Sequence, residues 1–164
     1  MAGAGILQSA CDRGKNCRLE LLECEIKNER LVLLQLHGGG YIGGMRNAYR
    51  SFAGLYSELG RGMSVLTVDY RVAPEHPYPA ALEDAITGYN WLLQAGWQEH
   101  EIVVAGDSAG GGLALALCMY LKNQNRKLPA GLICMSPWTD LTQSGASYDL
   151  TMNGIHCLET PGTA

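Results

Sequence analysis

The chain has 164 residues, 47% of them apolar, and 12 Lys and Arg against 16 Asp and Glu give a net charge of −4 at pH 7. That length suits one globular domain, and a mildly acidic balance without a basic block argues against a nucleic-acid backbone or an anionic membrane surface as partner. The longest apolar runs fall well short of the roughly 18 residues that cross a bilayer, so no membrane span is expected.

In chain order, residues 19–26 alternate imperfectly between apolar and polar side chains and suit an antiparallel edge strand. Four short runs, 31–36, 65–68, 102–105 and 132–135, are almost continuously apolar, and each runs into Gly, Asp or Ser-Pro. Runs of this kind suit parallel strands covered by helices on both faces. Between them lie three predicted helices. Residues 48–59 carry Phe52, Leu55, Tyr56 and Leu59 at helical spacing, Pro79 opens 80–95 with Leu82, Ile86, Tyr89 and Leu93 on one face, and 109–121 is the third. Strand and helix therefore alternate from residue 31 to about residue 137, the pattern of βαβ units in an α/β domain. After Ser144 the composition turns small and polar without periodicity.

Two motifs carry chemistry. Gly106-Asp107-Ser108-Ala109-Gly110 is a GxSxG sequence between an apolar strand and a helix. There a serine sits on a tight turn with its hydroxyl above the sheet, and flanking side chains would collide with a neighbouring strand or helix. The first helical turn adds unpaired backbone N–H groups. At the end of the first apolar run stands His37-Gly38-Gly39-Gly40-Tyr41. Consecutive glycines let bare backbone aim N–H groups at one point, as a developing oxyanion requires. The six cysteines form no CxxC pair and no ligand spacing with the four histidines, so neither a metal nor a disulfide framework is expected. The N-terminus lacks the pattern of a secretory signal, which points to the cytosol.

HGGG at 37–40, DYRVAPEHPYPAA at 69–81, GDSAGG at 106–111 and SPWTDL at 136–141 closely resemble the hormone-sensitive lipase family of carboxylesterases and lipases, in the family's order. The resemblance implies a partial α/β-hydrolase fold, a mostly parallel sheet flanked by helices that lacks the last strands. It implies hydrolysis of a small-molecule carboxylic ester through an acyl-enzyme, with no metal or organic cofactor. Ser108 is then the nucleophile, and the backbone N–H groups of Gly38, Gly39 and Ala109 form the oxyanion hole. Gly40 and Tyr41 line the substrate pocket, His37 braces the glycine loop and Asp107 is structural. Asp69, Arg71, Glu75 and His76 read as an ion-paired loop, and Trp138 and Asp140 as packing and capping residues.

The family's triad runs Ser, then Asp or Glu, then His, on loops after two further strands. Beyond Ser108 the only histidine is His156, with Asp149 as the ordered acid before it, and nothing around them resembles a strand-end loop. The expectation is a chain that stops before its own general base, hydrolysing esters no better than a Ser108→Ala control. Residues 1–150 then form the N-terminal part of one domain, and 151–164 an aberrant tail. Back-translated and regrouped by one frame, residues 154–159 permit Asp-Pro-Leu-Phe-Gly. The family commonly has Asp-Pro-Leu at about this distance, which points to a frame shift near Leu150. A non-catalytic small-molecule-binding module of the same fold and a non-functional fragment are the alternatives.

Overall fold

The apolar runs become adjacent strands in the computed structural model, which describes residues 6–11, 17–24 and 31–145. Strands β1 (Ile6–Cys11), β2 (Arg18–Glu23), β3 (Val32–Leu36), β4 (Ser64–Asp69), β5 (Ile102–Asp107) and β6 (Gly131–Met135) form one sheet in the order β1-β2-β4-β3-β5-β6. From β4 to β6 neighbours run parallel, whereas β1 and β2 pair antiparallel. The segment expected at the edge thus lies inside the sheet, and β1 takes the edge. Nothing in Ile-Leu-Gln-Ser-Ala-Cys announces that strand, because it has only one β-branched residue and no period-two pattern.

The alternation of β3 decides which helix covers which face. Val32, Leu34 and Leu36 join the larger core with residues of α2 (Ala80–Gln94) and α3 (Ala109–Asn123), among them Tyr89, Leu92, Leu113 and Leu117. Leu33 points the other way and meets Ala53 of α1 (Asn47–Leu59), with Val65 and Ala105. The buried residues of α1 are Ala53 and Ser57, whereas Phe52, Leu55 and Leu59 are 45%, 49% and 73% exposed. Three of the four apolar residues that mark this helix therefore face outward; Tyr56 packs partly buried against the same cluster, and the two small residues lie against the sheet. Arg50 fixes the same helix to β2 through two bonds to the buried Glu20 carboxylate, at 2.8 and 2.7 Å.

Strand β6 is apolar yet partly uncovered, as expected of a sheet that lacks its last strands. Leu132, Ile133 and Met135 are 37%, 44% and 42% exposed, because no described element lies beyond this strand. The register sets Leu36 beside Gly106, and Asp107 beside Met135. The loops leaving β3, β5 and β6 therefore emerge together at one end of the sheet.

Candidate active site

Strand β5 turns into α3 through Ser108, which takes φ 51° and ψ −120°, a conformation of high energy for any residue with a side chain. The turn is tight enough that a Cβ on Gly106 would strike the Gly110 carbonyl, and one on Gly110 would strike the carbonyls of Leu36 and His37. Both glycines of the motif are thus required by backbone on every side. The bend is held by the sheet: the Ser108 N–H donates to the Met135 carbonyl (2.9 Å), and the Ser108 carbonyl accepts from Trp138 (2.8 Å) and Gly112 (3.1 Å). Ser108 occupies the N-cap of α3, yet its side chain makes no capping bond and the residue is exposed.

The glycine loop is built on two stacked rings. His37 is fully buried and lies parallel to Tyr70, with ring centroids 3.9 Å apart and 1° between planes. Its Nδ1 donates to the Gly38 carbonyl (2.8 Å), which sets the tautomer, and the Tyr70 hydroxyl donates to the His37 carbonyl (2.6 Å). Burial pushes the His37 imidazole below its ordinary pKa, against the smaller opposing influence of the Gly38 carbonyl, Asp69 and Asp107. The ring stays neutral in this position, and Nε2 has no partner among the described residues. Beyond it, Gly39, Gly40 and Tyr41 take φ of 130°, 64° and 61°, and the Gly39 carbonyl closes the turn by accepting from Gly43 (2.8 Å).

The expectation that the Gly38 amide is an oxyanion donor is corrected here. Its N–H is shared between the Tyr49 hydroxyl (2.8 Å) and Asp107 Oδ1 (3.1 Å), while the Tyr49 hydroxyl donates to Asp107 Oδ2 (3.0 Å). An amide engaged twice inside the protein is not available to a substrate oxygen. The N–H groups of Gly39, Gly40 and Ala109, in contrast, have no acceptor among the described residues. Sequence reasoning missed Tyr49 altogether, since a tyrosine in the first turn of an amphipathic helix carries no local sign of a contact with residue 107. Burial raises the Tyr49 phenol above its ordinary pKa and keeps its proton in place.

Tyr41 is half-buried, with its ring tilted against Tyr70 and Trp138 at 6.4 and 6.2 Å. Both Tyr41 and Trp138 border an apolar groove of about 540 Å³ that continues past Leu82, Leu115, Met119 and Leu141. The Arg71 guanidinium at its rim is already bound, to the buried Asp84 carboxylate (2.8 Å) and to Glu83 (3.1 Å). Trp138 Nε1 donates to the Asp140 carbonyl (3.0 Å), and hydrogen bonds from Thr142 and Ser144 hold the Asp140 carboxyl down at about 2. Asp149 and His156 lie outside the described residues, and no described histidine is hydrogen-bonded to Ser108. Among the described residues no group of three His, Cys, Asp or Glu side chains could hold a metal ion, and no helix is long and apolar enough to cross a membrane.

Residues 33–161 match the alpha/beta hydrolase fold family, a span that includes part of the tail expected to be out of frame. An acetyl-hydrolase of Streptomyces hygroscopicus is 43% identical over 117 residues, 71% of this chain and 39% of the relative. An esterase of Acinetobacter venetianus is 42% identical over 118 residues, 71% of this chain and 38% of its own length. Among solved structures, an esterase/lipase from an uncultured bacterium superposes with a TM-score of 0.82 at 37% identity, covering 93% of this chain and 51% of that one. An esterase from the bacterial hormone-sensitive lipase family gives 0.76 at 36% identity, covering 90% and 49%. The chain thus spans about half the length of these solved structures and less of the curated relatives. With its sheet order, its serine bend and these matches together, the chain belongs to the alpha/beta hydrolase fold family.

Proposed function

We propose that this chain carries the nucleophile and the oxyanion donors of a serine carboxylic ester hydrolase. Ser108 attacks the ester carbonyl, and the negative charge that develops on its oxygen is held by the N–H groups of Gly39, Gly40 and Ala109. Each donor of this kind stabilises the transition state by about 2.7 to 4 kcal/mol. The substrate is a small ester, and its apolar part extends past Tyr41 and Trp138 into the groove toward Leu82 and Met119. His37 and Asp107 hold the loops and do not move protons. A serine hydroxyl is a weak nucleophile without a base, and we assign that base and its acid to sequence outside the described residues. The observation that carries the reading is the pairing of an uncapped, exposed Ser108 in a strained bend with amides that have no acceptor among the described residues.

Phenylboronic acid tests it, because addition of the serine oxygen to the trigonal boron, with the hydroxyl proton released to buffer, gives a tetrahedral boronate whose charged oxygen lies among the donors. The expected result is a tetrahedral ¹¹B resonance with the 164-residue chain and none with Ser108→Ala. An unchanged trigonal signal in both overturns the proposal. Joined to the C-terminal half of the Streptomyces relative, the chain is expected to hydrolyse p-nitrophenyl butyrate in a Ser108-dependent way.

A further inference from the structure

The Tyr49 side chain links three otherwise separate pieces of this site. It stands in the first turn of α1 and its hydroxyl accepts the Gly38 N–H and donates to Asp107, the residue immediately before Ser108. Asp107 closes the triangle by taking the same Gly38 N–H on its other oxygen. We propose that the Tyr49 hydroxyl, acting with the Asp107 carboxylate, is a positioning device that sets the distance between the oxyanion donors of Gly39 and Gly40 and the nucleophile at Ser108.

Three features of the geometry carry this. Gly38 directly precedes the two donors, so its N–H is the nearest one before them that can fix the loop without consuming a donor. Asp107 directly precedes the nucleophile, so the same three hydrogen bonds tie loop and nucleophile to each other. The space is also closed: a Cβ on Gly38 would meet Asp107 Oδ2 and come within 3.0 Å of the Tyr49 hydroxyl. The Tyr49 ring has separate packing, against His37 at 5.6 Å and Phe52 at 5.8 Å. Phenylalanine at this position therefore keeps the ring contacts and removes only the bridge.

This inference rests on the oxyanion reading above, and its test separates the two. In the full chain, Tyr49→Phe is expected to speed amide hydrogen exchange at Gly38 and Gly43, the hydrogen-bonded amides of the loop, about tenfold, leaving the amides of α3 and β4 unchanged. The same variant is expected to weaken phenylboronic acid binding about ten- to a hundredfold, as follows when donors shift by a fraction of an ångström to about 1 Å. Asp107→Asn, which keeps an acceptor for the Gly38 N–H, recovers most of that affinity relative to Asp107→Ala. Unchanged exchange at Gly38 and Gly43 overturns the positioning role, whatever happens to affinity. Faster exchange with full affinity, or equal loss in the Asn and Ala variants, also overturns it. If the unmodified chain binds no boronate, the functional reading fails, and the exchange measurement still decides whether Tyr49 holds the loop.

Discussion

Alanine at Gly110 and alanine at Gly54 are the same chemical change on two helices, and the structure gives them opposite signs. Inside a helix, Gly to Ala is worth about 0.5 to 1 kcal/mol of stability through backbone entropy. Gly54 in α1 has nothing within 4 Å of an added Cβ, so it should show that gain in full. At Gly110 the added carbon meets the Leu36 and His37 carbonyls. These are main-chain atoms at the end of a buried parallel strand, and no rotamer change relieves them. Overpacking costs about 1 to 3 kcal/mol where side chains can yield, and here the helix itself must move away from β3. The net effect is a loss of at least about 2 kcal/mol, which separates the two variants by about 3. For a chain of this size that is about 6 to 12 °C in Tm. Urea unfolding followed by tryptophan fluorescence measures it directly. If Gly110→Ala is as stable as the parent protein, the account of why this bend requires its glycines is wrong.

Asp84→Ala should destabilise by about 3 kcal/mol, because it leaves the Arg71 guanidinium and backbone N–H without their buried acceptor; a midpoint in urea equal to the parent's contradicts this. Ser108→Gly relieves the positive φ and should raise stability by about 1 kcal/mol over Ser108→Ala, read from paired unfolding curves. His37 makes stability pH-dependent in a definite direction. Its folded pKa is depressed, so both states are neutral above about pH 6.5, and below it the unfolded imidazole binds a proton that the buried one refuses. Stability is therefore lost as pH falls from 6.5 through the depressed value. His37→Asn, which can still donate to the Gly38 carbonyl, should lower Tm but flatten its slope between pH 5 and 6.5; an identical slope in both proteins removes His37 as the source.

The parallel strands and their helices were legible because continuous apolar runs and helical spacing report burial directly, as in β3, β4 and β5. The same signals misled where burial was incomplete. In α1, Phe52, Leu55 and Leu59 of the apolar stripe face out and only Tyr56 packs inward. Periodicity records which residues would accept burial, and says nothing of whether a neighbour is there to provide it. Within the site, Ser108 and the glycines could be read because they form contiguous motifs whose backbone demands are local. The assignment of Gly38 as a donor failed because the fate of one N–H depends on Tyr49 and Asp107, 11 and 69 residues away along the chain. Tyr49 was invisible for the same reason.

The amide of Ser108 is anchored to the last carbonyl of β6, the outermost strand of the sheet. The reactive residue thus inherits the rigidity of a border rather than of an interior. Among the described residues no strand pairs with the outer margin of β6, so whatever holds that strand also holds the carbonyl that fixes the Ser108 bend.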